Sequence, residues 1–192
     1  MENTNPNLDL SNIRKHKLAL MSAIDNDRSI KWTLRLWGRV IKARDLQRCV
    51  SCGSVEKIQA HHIVRKTLYP WGAFQSGNGI TLCLECHDRV HSLSNLKADL
   101  SQPIGEGDDQ DDWAFLFGLL RDDAVFRGLD EDEFYYIDDD MMEFFVRVQG
   151  YEFLRQMVIR HEITRIHFAY QIWLHMPENF YKHIIAGMFR QE

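Results

Sequence analysis

"NGITLCLECHDRVH", residues 78–91, packs three kinds of information into fourteen positions. Ile80–Cys83 is a short β-type run, and "LECHDRVH" directly after it has helical character. Cys83 and Cys86 form a C-x2-C pair across that junction. His87 and His91 stand four apart, and residues at i and i+4 share one helix face. A second C-x2-C pair, Cys49 and Cys52, precedes the stretch in the knuckle-like turn "CVSCGS". Two such pairs supply the four thiolates of a tetrahedral structural zinc site. Four buried small hydrophobes would be the alternative, but paired spacing twice over argues for a metal. A four-thiolate zinc is a staple and not a catalyst, because it keeps no open coordination position.

The 30 residues between the pairs exceed the ~15–20 of a simple zinc ribbon. They hold a β-like run, "EKIQAHHIV", and a loop containing Gly, Pro and aromatic residues, "RKTLYPWGAFQSGNG". His61 and His62 are adjacent in the strand. With the zinc already four-coordinate, His87 and His91 must address another ion. Adding His61 gives a three-imidazole site with room for water and a phosphate oxygen. The middle of the chain therefore reads as strand, loop, strand, helix.

"HHI", "NGITLC" and "CHDRVH" together resemble the signature of the HNH endonucleases, the ββα-metal fold of colicin DNases and of many phage and restriction nucleases. "ARDLQRCVSCG" resembles the version braced by two C-x2-C knuckles. The likeness covers residues 35–97. It implies an α+β class: a small ββα-metal module with structural zinc, flanked by N-terminal helices and a mostly helical C-terminal part. Carried across residue by residue, it implies His61 as a metal ligand and His62 as the general base that takes a proton from the attacking water. Asn78 holds the base in orientation, and His87 and His91 are the helical metal ligands. It further implies DNA hydrolysis to 5′-phosphate and 3′-hydroxyl ends, with Mg²⁺, Mn²⁺ or Ni²⁺ as the catalytic ion. Both adjacent rings reach one site only where the strand ends or bulges, so a distortion is expected there. Two positions depart from the pattern. Gln59 and Gly77 stand where acidic residues are common, which bears on rate and metal preference.

Charge is uneven along the chain. Residues 1–98 hold 15 Lys/Arg and 8 Asp/Glu, a net of +7; residues 99–143 hold 2 and 16, a net of −14; residues 144–192 hold 6 and 4, a net of +2, for −5 in all. The basic part suits a polyanion, with double-stranded DNA the expected partner. Arg65 and Lys66, directly after the histidines, and Arg39 and Arg44 on the preceding helix are the expected phosphate contacts, with Arg35, Lys42 and Arg48 on the same segment. Tyr69, Trp71 and Phe74 in the loop would stack on bases or pack beneath it. No apolar run approaches the ~18–20 residues of a membrane span, and the polar start "MENTNPNLDL" lacks a signal peptide's apolar stretch, so the expected location is the cytoplasm.

The expected organisation is a frayed terminus (1–9), N-terminal helices with the nuclease domain (10–98), an acidic linker (99–112) and an acidic helical domain (113–192). Ser11 is the expected cap of a first helix with Ile13, Leu18, Met21 and Ile24 on one face. Trp37, Val40, Ile41 and Ala43 form the stripe of a second. Pro177 and Glu178 would open a last helix. The runs "DEDE" and "DDD" suit helix N-caps and a solvated face. "HEITR" lacks the second histidine of a zinc protease motif. Residues 113–192 are expected to regulate, to form a homodimer or to recruit a protein partner. The leading expectation is a metal-dependent endonuclease of phage DNA processing, restriction or anti-phage defence. The alternatives are a zinc-stabilised module that binds nucleic acid without cutting it, and an interaction subunit of a larger complex.

Overall fold

A computed structural model describes residues 9–93, 108–175 and 177–178. Two antiparallel helices open the chain, α1 (Leu10–Asp25) and α2 (Ile30–Arg44). Asp9 caps α1, its carboxylate accepting from the Asn12 N–H at 3.1 Å, while the Ser11 hydroxyl donates to that same carboxylate. The cap is therefore Asp9 and not Ser11. The buried stripe of α1 is Ile13, Leu20 and Ala23; Leu18, Met21 and Ile24 are exposed, contrary to the expected face. On α2, Leu36, Trp37, Val40, Ile41 and Ala43 are buried as their helical spacing requires.

The strands β1 (Ile58–His62) and β2 (Gly79–Cys83) pair antiparallel, from Ile58 opposite Cys83 to His62 opposite Gly79. The helix α3 (Leu84–Leu93) follows β2 without a loop. The hairpin lies between α2 and α3. Gly79 permits the α2 contact: a Cβ there would meet Trp37 at 2.5 Å and Ile41 at 2.8 Å. The connection from β1 to β2 contains two 3-10 turns, Pro70–Phe74 and Ser76–Asn78. This is the expected α+β arrangement, a strand hairpin and helix inside a mostly helical chain.

Five helices complete the described chain: α4 (Asp108–Arg127), α5 (Glu131–Phe134), α6 (Asp139–Gln149), α7 (Glu152–Ile159) and α8 (Arg165–Leu174). The helix α4 starts at Asp108, so the expected linker 99–112 is helical over its last five positions. Acids of the two runs cap helices as expected: Asp130 accepts from the Glu133 N–H of α5, and Asp138 from the Met141 N–H of α6. The expected last helix from Pro177 falls almost wholly outside the described residues. None of the described helices is long and apolar enough to cross a membrane.

One apolar core runs through both parts of the chain. Cys49, Ile63, Ile80 and Leu82 belong to the same buried cluster as Trp113, Phe117, Phe145 and Trp173. Trp113 and Trp173 meet edge to face at 4.5 Å, joining α4 to α8. Ion pairs cross the same boundary: Arg48 to Asp123 at 2.6 Å, and Arg14 to Glu133 at 2.7 Å. The acidic part is thus packed against the part that carries the hairpin and neutralised by some of its arginines.

Candidate metal centre and active site

The Sγ atoms of Cys49, Cys52, Cys83 and Cys86 all lie within 4.8 Å of one another. Cys52 and Cys83 are separated by 3.7 Å, sulfur to sulfur. Tetrahedral zinc with ~2.3 Å bonds requires neighbouring sulfurs about 3.8 Å apart, whereas a disulfide requires ~2.05 Å. All four are free cysteines, and the quartet fits zinc. The first knuckle is tied to the hairpin by the Val50 N–H donating to the Thr81 carbonyl at 2.9 Å. Burial opposes the Cys49 thiolate, but the backbone N–H groups of Cys83 and Cys52, the Cys52 thiol and the Ser51 N–H together outweigh it and hold this thiol below its ordinary value. Burial pushes the Cys86 thiol up to about 12. A metal must displace that proton on binding.

His61, 8% exposed, points from β1 toward α3. Its ring meets that of His87 edge-on, with centroids 4.9 Å apart. The hairpin and the helix thus bring together two of the three expected imidazole ligands. His91 belongs to α3, but its side chain lies outside the described residues. A soft or borderline divalent ion suits two imidazoles.

His62 lies on the other face of the hairpin. Its ring stacks on Trp37 with centroids 3.9 Å apart and planes 5° from parallel. The register is regular through the His62–Gly79 pair and the two adjacent rings take opposite faces, so the described residues show no distortion that brings both rings to one site. The His62 Nε2 lies 2.9 Å from the Ala73 carbonyl. A carbonyl only accepts, so Nε2 carries the hydrogen and Nδ1 of the neutral ring holds the lone pair. Burial lowers the His62 pKa most, the Ala73 carbonyl opposes this, and nearby Lys66 lowers it further. The ring is accordingly neutral at pH 7, as a base requires.

Asn78 is fully buried. Its Oδ1 accepts from the Val64 N–H at 2.8 Å, and its Nδ2 donates to the Val64 and Gly72 carbonyls, each at 3.0 Å. The amide pins both ends of the loop that leaves His62. Gly72 immediately precedes Ala73, whose carbonyl holds the His62 ring. Asn78 is therefore linked to His62 through the loop backbone and does not touch the ring.

The expected phosphate contacts divide. Arg39 and Lys66 are exposed, and Arg65 is half-buried. Arg44 is 0% exposed and cannot meet a phosphate. Its Nε is paired with Asp45 at 2.7 Å, and its Nη atoms donate to the Ser76 and Gly79 carbonyls at 2.6 Å each. Its position was legible in principle: it falls seven after Trp37, on the buried stripe of α2. Of the loop aromatics, Tyr69 is buried against Phe144 at 5.0 Å and Phe74 packs against the α1–α2 core, while Trp71 is 77% exposed. Sequence reasoning missed the Ala73 carbonyl and the Trp37 stack. Every residue carries a carbonyl, so no residue type marks the first; Trp37 was legible only as a core residue.

A hairpin running into a helix, with His-Asn-His in chain order and a four-cysteine cluster compatible with a structural zinc, defines a ββα module. Residues 49–93 match the family model of the HNH endonucleases, so the chain carries an HNH segment over less than half its length. That segment supports a nuclease-family function with nucleic acid as partner. No curated protein and no solved structure matches the chain.

Proposed function

We propose that this protein is a metal-dependent endonuclease that hydrolyses DNA phosphodiester bonds and leaves 5′-phosphate and 3′-hydroxyl ends. The observation that carries the reading is the meeting of the His61 and His87 rings where the hairpin joins the helix, with a neutral His62 next in the chain at the end of β1, its Nε2 tied to Ala73. His61 and His87 would hold the divalent ion, with His91 as the third ligand. That ion supplies charge stabilisation to the phosphate and to the departing oxygen. The Nδ1 of His62 takes the proton of the attacking water. Asn78 keeps the loop, and with it the Ala73 carbonyl, in the place that presents Nδ1. Lys66 and Arg39 contact phosphates, and Arg65 joins them beside the scissile bond; such contacts bind without reading sequence. Double-stranded DNA is the substrate suited to this basic surface. The reaction would serve phage DNA processing, restriction or anti-phage defence, an assignment that rests on the class of chemistry alone.

The test is supercoiled plasmid incubated with Mg²⁺, Mn²⁺, Ni²⁺ or EDTA, comparing wild type with His62→Ala. Relaxed or linear product that needs metal and is lost in His62→Ala supports the reading. Salt-sensitive DNA binding by folded, zinc-loaded protein without cleavage under any metal refutes it in favour of a module that only binds.

A further inference from the structure

The segment joining α5 to α6 runs alongside the turn that carries Asn78. Tyr136 accepts the Gly77 N–H through its carbonyl at 2.8 Å, and its own N–H donates to the Ser76 hydroxyl at 3.0 Å. The Asp138 N–H donates to the Gln75 side-chain oxygen, also at 3.0 Å. Three consecutive residues, Gln75, Ser76 and Gly77, are thus held by chain from the helical half. Arg44 closes the other side through the Ser76 and Gly79 carbonyls, and its guanidinium stacks on Tyr135 at 4.3 Å. Gly77 is required by this approach. A Cβ there would meet Ile137 at 2.5 Å and the Tyr136 carbonyl at 2.9 Å, with the Tyr135 carbonyl nearer still. The glycine that stands in place of an acid is the imprint of the helical half on the nuclease turn.

We propose that Tyr135–Asp138 is a positioning strap for the catalytic turn, which makes the helical half a working part of the active site. This rests on the endonuclease reading. The path is continuous: the strap holds Ser76 and Gly77, the next residue Asn78 holds Gly72 and Val64, and Ala73 after Gly72 holds His62. Gln75, Ser76 and Gly77 are positioning residues, because none touches His62.

The experiment uses the full, zinc-loaded chain with Gly77→Ala, Ser76→Ala and Ser76→Thr. Two quantities are read: amide hydrogen exchange at Val64, whose N–H is held by Asn78, and the kcat and KM of plasmid nicking. Gly77→Ala is expected to speed Val64 exchange at least tenfold and lower kcat at least tenfold, with KM within twofold and the α2 and α4 amides unchanged. Ser76→Ala should show the same pattern more weakly, and Ser76→Thr, which restores the hydroxyl, should return both readouts toward wild type. Acceleration of all core amides together would mean that the contact only stabilises the fold, and would overturn the proposal. So would unchanged Val64 exchange and kcat in both Gly77→Ala and Ser76→Ala. Should Gly77→Ala not fold, the Ser76 pair decides alone. A wild type that cuts nothing under any metal would refute the endonuclease reading, while Val64 exchange would still decide whether the strap orders the turn.

Discussion

Replacing Asn78 by alanine removes one side chain and orphans two backbone groups. The Val64 N–H and carbonyl lose their partner, and the Gly72 carbonyl keeps only the Gln75 N–H at 3.3 Å, in a site where Asn78 is fully buried. A buried unsatisfied polar group costs about 1–3 kcal/mol, and one water entering the vacated space would recover part of this. The expected loss is about 3 kcal/mol, which for a chain of this size lowers Tm by roughly 6–12 °C. Asn78→Asp keeps the acceptor for Val64 and, when protonated, one donor, so its loss should be about half as large. Thermal and urea denaturation of zinc-loaded protein measure both. Nicking should fall by ten- to a hundredfold in Asn78→Ala, because the loop that carries Ala73 is released and His62 loses its orientation. An Asn78→Ala protein within about 1 kcal/mol of wild type would refute the clamp. So would one with full activity.

Trp71→Ala should change stability by less than ~0.5 kcal/mol, since the ring is mostly in solvent, yet weaken DNA binding by about 1–3 kcal/mol if it stacks on a base; fluorescence anisotropy with labelled oligonucleotides reads this, and unchanged affinity removes Trp71 from the interface. Cys86→Ser should cut zinc stoichiometry, read by elemental analysis, and loosen the hairpin; one zinc per chain retained at full stability would contradict the staple. Burial, helped by Asp138 and Asp140, raises the Tyr69 pKa from its ordinary 10.0 to about 12. The unfolded chain then loses this proton first, so the stability linked to Tyr69 is whole below pH 10 and drains away as pH rises toward 12. Denaturation midpoints across that window should fall less steeply in Tyr69→Phe, and equal slopes would rule the residue out.

The organisation of the second half shows where sequence reasoning stopped. The acidic composition of residues 99–143 does not say what those acids face, and Asp123 and Glu133 are partners of Arg48 and Arg14. An acid looks the same in sequence whether it faces water or a distant arginine. The apolar face expected for α1, Ile13, Leu18, Met21 and Ile24, holds only at Ile13 for a related reason: Leu20 and Ala23 also match a helical period with Ile13, and the position of α2 chooses between the two sets.

By itself, the sequence determined the four-cysteine cluster, the ββα order and the two histidines, His61 and His87, that meet between hairpin and helix. Those features depend on neighbours within a few residues, where C-x2-C and i,i+4 spacing already fix the local geometry. Tertiary structure alone decided that Arg44 is a buried brace and not a phosphate contact, and that His62 presents Nδ1 because Ala73 takes its other nitrogen. It also decided that Gly77 lies under Tyr135–Ile137. Each of these is set by backbone groups brought together across a loop or from the other half of the chain. Backbone groups are the same in every residue, so their pairing leaves no mark in the sequence until the chain is folded.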